Sequence, residues 1–164
     1  RVEAIFREHY EAVLAYARRR APAPLADDVA AETFAIAWRR SADLPKEPLP
    51  WLLGVARRVL SSQRRSGVRR DRLRRRLTDA SEGVQLVELP DGRVGAALAR
   101  LSERDREAVL LIAWEGLAPK EAAAVLGVST ATFSVRLHRA RRRLSAALAQ
   151  DDSLAMHHSR GEAK

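Results

Sequence analysis

Hydrophobic residues recur at helical spacing along most of the chain. In the first stretch the apolar positions advance in steps of three and four, which places them on one face of a helix: Phe6, Tyr10, Val13, Leu14 and Ala17. Proline cannot continue a helix, so this first helix is predicted to stop before Pro22 and Pro24.

A second helix is predicted to begin at Asp27 or Asp28, because aspartate suits an N-terminal cap and the positive end of the helix dipole. Three prolines between Leu44 and Pro50 indicate a connecting loop. A third helix then runs from about Trp51 into a strongly basic stretch that ends near residue 76.

The pattern changes between residues 77 and 95, where periodicity fades and acids, glycines and a proline appear, as is typical of an interdomain linker. Helical periodicity then returns, with a short helix from Pro119 to Leu126, a turn at 127–129 and a final helix. The polar residues 150–164 are expected to form a disordered tail.

No segment alternates in the manner of a strand, so the predicted class is all-α. Two small helical domains are expected, a helical bundle over 1–76 and a helix-turn-helix domain over 96–149, joined by a flexible linker over 77–95.

The net charge indicates the class of binding partner. The chain has 30 Lys and Arg against 21 Asp and Glu, a formal net charge of +9, which predicts attraction to a polyanion. No apolar run is long enough for a membrane span and no secretory signal opens the chain, so we expect a cytoplasmic protein without membrane insertion. Zero cysteines exclude disulfides and thiol chemistry.

The strongest local motif covers residues 119–143. A short helix of small apolar residues, a turn at Gly127 and an arginine-rich second helix have the layout of a helix-turn-helix, whose second helix enters the major groove. An ordinary amphipathic helix pair with a solvated basic face has the same pattern. However, five arginines between Arg136 and Arg143, almost unbalanced by acids, would repel one another on a free helix. They favour a surface that faces phosphates.

A second basic segment, residues 57–76, holds ten arginines and one acid, Asp71, and follows Trp51. Arginines beside an aromatic ring suit single-stranded DNA, because guanidinium groups pair with phosphates while unstacked bases pack on the ring. The alternatives are that Trp51 belongs to the core and that the arginines form a tail or a membrane-surface segment. The membrane alternative is weak, since only Val68 and Leu73 would supply apolar contacts between residues 63 and 76.

Catalysis has little support in the sequence. Asp27, Asp28 and Glu32 could hold Mg²⁺ in a metal nuclease, but helix capping explains the aspartates. The histidines lack ligand spacing and no glycine-rich phosphate loop is present. We therefore expect no enzyme activity, catalytic residue, cofactor, metal site or small-molecule substrate.

The order of these motifs resembles that of the extracytoplasmic-function (ECF) sigma factors of bacterial RNA polymerase. DVAAETF at 28–34 followed by AWR at 37–39 is similar to their polymerase-binding helix, and PWLLGVAR at 50–57 to the segment that follows it. LSERDREAVLL at 101–111, GVS at 127–129 and RLHRARRRL at 136–144 resemble their second domain. The resemblance spans nearly the whole chain in the right order.

The resemblance implies a site for each partner. Docking on the clamp helices of the largest subunit of core RNA polymerase would use Asp28, Glu32, Phe34, Trp38 and Arg39. The melted −10 promoter element would be held by Trp51, Arg57, Arg58, Arg64, Arg65, Arg69 and Arg70. The −35 element, as duplex DNA, would contact Ser129, Thr130, Thr132, Ser134, Arg136, His138, Arg139, Arg142 and Arg143.

Three departures from the family pattern concern Ala31, Arg58 and the pair Ser134-Val135, and the last of these puts the base preference in question. The family also implies an anti-sigma partner. The alternative function is a helix-turn-helix regulator that binds DNA independently of polymerase, with an N-terminal sensor or dimerisation domain.

Overall fold

The computed structural model describes the backbone of residues 2–75 and 92–161 and the side chains of 2–67 and 92–150. Within these ranges every regular element is helical, which confirms the all-α prediction. The chain forms two compact units, residues 1–88 and 89–164.

Unit 1 contains α1 (Val2–Arg18), α2 (Ala23–Arg39), a 3-10 turn (Ser41–Asp43) and α3 (Pro48–Arg75). Each of its three long helices packs against the other two. Their inward faces form one apolar core: Val13, Leu14, Ala17, Ala26, Val29, Ala30, Leu52, Leu53, Ala56 and Leu60.

Tyr16 is fully buried in this core, and the guanidinium of Arg20 lies 3.6 Å from the centroid of its ring. Nη1 of Arg20 also donates to the Tyr16 carbonyl oxygen at 2.9 Å. This buried arginine therefore has both a hydrogen-bond partner and a cation–π partner, which offset the cost of removing its charge from water.

Two helix starts differ from the sequence prediction, and proline is the reason at both. Helix α2 begins at Ala23, with Pro22 at its N-cap, so Asp27 and Asp28 lie inside the helix and do not cap it. Helix α3 begins at Pro48, three residues before the predicted start at Trp51. A proline in the first turn loses no helical hydrogen bond, because the first N–H groups have no partner within the helix.

An aromatic cluster joins α1 to α2. The ring centroids of Phe6 and Tyr10 lie 4.8 Å apart, and that of Phe34 lies 4.9 Å from Phe6 in an edge-on arrangement. Phe34 is buried, whereas Phe6 is 43% exposed, so the predicted inward face of α1 is only partly correct.

Unit 2 contains α4 (Gly92–Ala99), α5 (Glu103–Ala113), α6 (Pro119–Leu126) and α7 (Thr130–Gly161). Helices α4, α5 and α6 all pack against α7. Its core is made of aliphatic side chains around one aromatic ring: Leu98, Leu101, Ala108, Leu110, Leu111, Ala122, Val125, Phe133, Leu137 and Ala140.

Arg106 fixes the connection between α4 and α5. Its Nε donates to the Leu98 carbonyl at 3.0 Å, and its Nη2 donates to the carbonyls of Ala99 and Leu101 at 3.2 and 3.1 Å. These acceptors lie at the C-terminal end of α4 and just beyond it, where carbonyls lack the usual helical partner, so one guanidinium bonds three carbonyls of the connection.

The segments outside the two cores also differ from expectation. Helix α4 begins at Gly92, inside the predicted linker, while residues 76–91 lie outside the described residues. Helix α7 continues to Gly161, where a disordered tail was expected from residue 150. Alanine, leucine and methionine between residues 146 and 156 have high helix propensity, which favours continuation of the helix.

Candidate nucleic-acid interface

The turn between α6 and α7 is fixed by backbone geometry. Gly127 has φ of +66°, a left-handed conformation that favours glycine. The N–H of Gly127 donates to the Ala124 carbonyl at 3.2 Å, and that of Val128 donates to the Ala123 carbonyl at 3.1 Å. This pair of bonds is a Schellman motif, which ends α6 sharply and redirects the chain into α7.

Side chains cap both helices of this pair. The Glu121 carboxylate accepts from the Ala118 N–H at 2.7 Å at the start of α6. At the start of α7, Ser129 Oγ accepts from the Thr132 N–H at 3.1 Å. The predicted helix-turn-helix, with its bounds at Pro119, Leu126 and Gly127, is therefore present.

Helix α7 has two distinct faces. Phe133, Leu137 and Ala140 are buried against the other helices of unit 2. The predicted −35 residues lie on the rest of its surface, where Arg136 is half-buried and the others are exposed: Ser129, Thr130, Thr132, Ser134, His138, Arg139, Arg142 and Arg143. Of the predicted −35 residues, the structure brings four into one groove, and these are Thr132, Arg136, Arg139 and Arg143.

Several of these polar groups already have partners within the protein. The Ser134 hydroxyl donates to the Thr130 carbonyl at 2.9 Å, and the Ser129 hydroxyl donates to Thr132 Oγ1 at 2.8 Å. Such bonds orient the hydroxyls along the helix surface. Hydroxyl protons used in this way are not free for a base edge.

Arg143 has a charged partner within unit 2. Its Nη1 bonds to the carboxylate of Asp105 on α5, whose side chain is only 8% exposed, while that of Arg143 is 63% exposed. The Asp105 N–H in turn donates to Ser102 Oγ at 3.2 Å, which caps α5. The ion pair therefore joins the start of α5 to the middle of α7.

A shallow groove runs along the outward face of α7 where it passes α5. Four arginines line it, together with Asp105, Ala131 and Val135; the arginines are Arg104, Arg136, Arg139 and Arg143. Arg104 was not predicted as a functional residue, and Val135 was named only as part of the departure from the family pattern that puts the base preference in question. The sequence contained a signal for Val135, because it is an apolar residue that does not share the helical spacing of Phe133, Leu137 and Ala140.

In unit 1 a groove between α2 and α3 contains Trp51. Trp51 is half-buried and lines this groove together with Arg39, Arg40, Arg58 and Val55. The family resemblance assigns Trp51 and Arg58 to the −10 element and Arg39 to the polymerase. The structure brings all three to one groove.

The other arginines predicted at the −10 element divide into groups. Arg57 and Arg65 are exposed on α3. Arg64 is half-buried, and its Nη2 donates to the Arg20 carbonyl at 2.7 Å, which joins α3 to the segment after α1. The side chains of Arg69 and Arg70 lie outside the described residues.

Among the residues predicted to bind polymerase, Asp28, Glu32 and Arg39 are exposed on α2, and Trp38 is 62% exposed. A carboxylate oxygen of Glu32 lies 3.1 Å from Nη2 of Arg39. Phe34 differs from the others, because its ring is buried against Phe6 and Tyr10. It is therefore a core residue that packs α2 against α1, and its side chain does not lie on the exposed face of α2.

The three acids considered for a metal site do not converge. Asp27 pairs with Arg18 at 3.4 Å, and Glu32 pairs with Arg39. Within the part of the chain that the structure describes, no three His, Cys, Asp or Glu side chains are grouped as metal ligands. None of the described helices is long and apolar enough to cross a membrane.

Unit 2 contains a helix-turn-helix with a basic outward face, and unit 1 contains a groove lined by a tryptophan and three arginines. These two features are typical of a DNA-binding transcription protein. The family comparisons specify the class: residues 5–70 match the Sigma-70 region 2 model and residues 91–144 match the Sigma-70, region 4 model. The chain belongs to the ECF sigma factors of bacterial RNA polymerase.

Individual relatives agree with this assignment. The chain is 34% identical to the RNA polymerase sigma factor CnrH of Cupriavidus metallidurans over 146 residues, covering 76% of this chain and 74% of CnrH. It is 32% identical to the ECF RNA polymerase sigma factor EcfG of Rhodopseudomonas palustris, covering 77% and 72%.

A solved structure with the same fold is the sigma factor RpoE in complex with the anti-sigma factor NepR from Bartonella quintana. It has a TM-score of 0.69 and 25% identity to this chain, covering 90% of this chain and 96% of that one. CnrH in complex with the cytosolic domain of CnrY gives a TM-score of 0.65 and 28% identity, covering 92% and 88%.

Membership of this family gives the function. The protein is an initiation factor that directs core RNA polymerase to specific promoters by recognising −10 and −35 elements. Sigma factors are initiation factors and not enzymes. Nothing in the comparisons favours a regulator that acts without polymerase.

Proposed function

We propose that α7 reads the −35 element as duplex DNA, while the Trp51 groove and the exposed arginines of α3 hold the melted −10 element. The observation that carries this proposal is the two-sided form of α7, which buries Phe133, Leu137 and Ala140 and turns Arg139 and Arg142 outward directly after a helix-turn-helix turn.

Arg139 is the proposed base reader on α7. It is exposed, lines the outward groove and lies in the third turn of the helix. Arginine can bond to two acceptors of one guanine in the major groove, and such a contact discriminates against other bases by about 1–3 kcal/mol. Arg142 is proposed to contact the DNA backbone, which carries no sequence information.

The Trp51 groove is the proposed site for an unstacked base of the −10 strand. An indole face suits any base, and Arg40 and Arg58 at its rim suit the adjoining phosphates. Arg57 and Arg65 extend the basic surface along α3, and Arg69 and Arg70 are proposed to continue it.

Asp28, Glu32, Trp38 and Arg39 on the exposed face of α2 are proposed to dock on the clamp helices of polymerase. Phe34 is proposed to act beneath this surface, by holding α2 against α1, and not by direct contact.

The main test is run-off transcription with reconstituted core polymerase on a promoter library. Initiation at a defined set of −10 and −35 sequences is expected only when both proteins are present. A gel-shift without polymerase separates the alternative, since tight sequence-specific binding by the free chain would favour an independent regulator. Failure to initiate or to bind core polymerase would overturn the proposal.

Variants test the division of roles. Arg139→Ala should change the ranking of −35 sequences, with a loss of about 1–3 kcal/mol at one base pair. Arg142→Ala should weaken all promoters alike and lower the salt dependence, because phosphate contacts release counterions. A ranking unchanged by Arg139→Ala would remove Arg139 as a reader.

The docking surface is tested by charge reversal. Asp28→Lys should reduce retention of the chain by immobilised core polymerase, whereas Glu11→Lys, the same charge change at an exposed position of α1, should not. Equal losses in the two variants would indicate general electrostatics instead of a specific surface.

We also propose a cytoplasmic location, where the polymerase acts, and control by an anti-sigma factor. The support is that the two structural relatives above were solved with the anti-sigma factor NepR and with the cytosolic domain of CnrY. A protein that copurifies with the chain, from cells in which its promoters are inactive, should inhibit run-off transcription when it is added at an equimolar amount to the chain. A copurifying protein that leaves transcription unchanged would contradict its role as an anti-sigma factor.

A further inference from the structure

Val135 is an apolar side chain on the polar face of the recognition helix. It is 52% exposed, whereas Phe133, two positions earlier, is fully buried. At about 100° per residue these two side chains point to nearly opposite sides of α7. Val135 therefore contributes nothing to the core of unit 2, and its exposure has no explanation in the packing.

The surroundings of Val135 form a specific surface. Ala131 lies one turn earlier on the same face, so the two side chains make a small apolar patch. Arg136 and Arg139 line the same groove and supply positive charge beside this patch. An apolar patch flanked by guanidinium groups is complementary to an apolar group carried on a polyanion.

The nearby hydroxyl groups do not compete for this patch. Ser134 donates its proton to the Thr130 carbonyl, and Ser129 donates to Thr132. Because these two protons are directed along the helix, the methyl groups of Val135 and Ala131 lie on the outward surface beside the Thr132 side chain.

Among the groups that base pairs expose in the major groove, the 5-methyl of thymine is the apolar one. Val135 is the sixth residue of α7, within the N-terminal part of a recognition helix that meets base edges. We propose that Val135 selects a thymine in the −35 element by packing against its 5-methyl group. This inference rests on the proposed role of α7 as the −35 reader.

The test replaces thymine by uracil, which removes the methyl group and leaves base pairing unchanged. Each thymine of a −35 element selected from the promoter library is exchanged in turn, and binding of the reconstituted holoenzyme is measured. One position should lose about fourfold in affinity for the wild-type chain, the factor that corresponds to burying one methyl group.

The same exchange is then made with Val135→Ser. On the thymine promoter this variant should bind about fourfold more weakly than the wild-type chain. Replacing the thymine by uracil should not weaken the binding of the variant any further, because the methyl group no longer has a partner. Val94→Ser is the matched control, since Val94 is also exposed, at 42%, but lies on α4. Val94→Ser should keep the full sensitivity to uracil.

Three results would overturn the inference: a selected −35 element with no thymine in either strand, a wild-type chain insensitive to every uracil, or Val135→Ser with undiminished sensitivity. An equal loss for Val135→Ser on both promoters, with uracil harmless to the wild type, would assign Val135 to a protein contact instead.

The failure of the underlying function gives a different result. A holoenzyme that does not initiate on the unmodified promoter would overturn the role of α7 itself, whereas normal initiation without any methyl effect would overturn only the role of Val135. Thermal denaturation of Val135→Ser should match the wild type, because an exposed valine contributes little to stability.

Discussion

The ion pair between Asp105 and Arg143 predicts an asymmetric response to mutation. The Asp105 side chain is 8% exposed and that of Arg143 is 63% exposed. Arg143→Met keeps the aliphatic stem but leaves a carboxylate inside the protein without its guanidinium. Asp105→Asn instead leaves a guanidinium that water can reach.

The magnitudes follow from this difference in exposure. A hydrogen bond to a charged group stabilises a protein by about 1.5–3 kcal/mol, and leaving a buried charge without its partner adds a desolvation cost. Since Arg143 is largely solvated, the lower part of that range applies. We expect a loss of about 2 kcal/mol for Arg143→Met. For Asp105→Asn we expect about 1 kcal/mol, below that range, because the amide oxygen can still accept a hydrogen bond from the guanidinium.

The assay is thermal unfolding followed by tryptophan fluorescence. The chain has three tryptophans, and Trp114 is the one in unit 2, so Trp38→Phe and Trp51→Phe give a background that reports unit 2 alone. For a domain of this size each kcal/mol lowers the melting temperature by roughly 4–8 °C. The two variants should therefore be clearly resolved.

Arg142→Met is the control, because Arg142 is an exposed neighbour on the same helix. It should leave the melting temperature nearly unchanged. Equal destabilisation by Arg143→Met and Asp105→Asn would refute the argument from burial. A stable Arg143→Met variant with a salt slope reduced by about one would show that Arg143 acts at the DNA backbone.

Further predictions concern single side chains and the backbone. Phe133→Ala should destabilise unit 2 by about 3–5 kcal/mol in urea unfolding, because the ring is fully buried; a loss below about 1 kcal/mol would contradict its place in the core. Gly127→Ala should cost about 1–2 kcal/mol in the same assay from its φ of +66° alone, since no atom would meet an added Cβ within 4 Å; an unchanged stability would refute the strain. Arg64→Ala should destabilise unit 1 by about 1–2 kcal/mol through loss of its bond to a carbonyl, whereas Arg57→Ala should lower DNA affinity with stability unchanged; the reverse pattern would exchange their roles.

The helix-turn-helix could be predicted closely from the sequence because local chemistry determines it. Pro119 favours a first turn, Gly127 permits the left-handed break, and Ser129 supplies the next cap. Each signal acts within a few residues of the structure it produces. The predicted bounds of α6 are therefore those of the structure.

The predicted starts of α2 and α3 were wrong because proline has two opposite effects on a helix. It prevents helix in an interior position but fits the first turn, and the sequence alone did not distinguish these at Pro22 and Pro48. The aspartates at 27 and 28 then looked like caps, although they lie within α2. The burial of Phe34 was missed for a related reason, because a motif can specify a residue without specifying whether it faces the partner or the core.

Long-range pairings lay beyond the sequence for a physical reason. Arg64 and Arg20 are 44 residues apart, and Arg143 and Asp105 are 38 apart, so no helical period relates them. Only the packing of α3 on α1 and of α7 on α5 brings these atoms together. An arginine count therefore measures the potential to bind DNA and not the number of phosphate contacts.

Arginine side chains thus have two roles in this protein, and the exposure of the guanidinium distinguishes them. Arg20 and Arg106 bond to carbonyls and stabilise the helical units, whereas Arg57 and Arg139 keep their guanidiniums in solvent. We expect counterion release mainly from the second group, because an arginine whose guanidinium is already bonded to carbonyls inside the protein gains little from a phosphate. The basic composition that first indicated DNA binding therefore also maintains the shape of the surfaces proposed to contact the promoter.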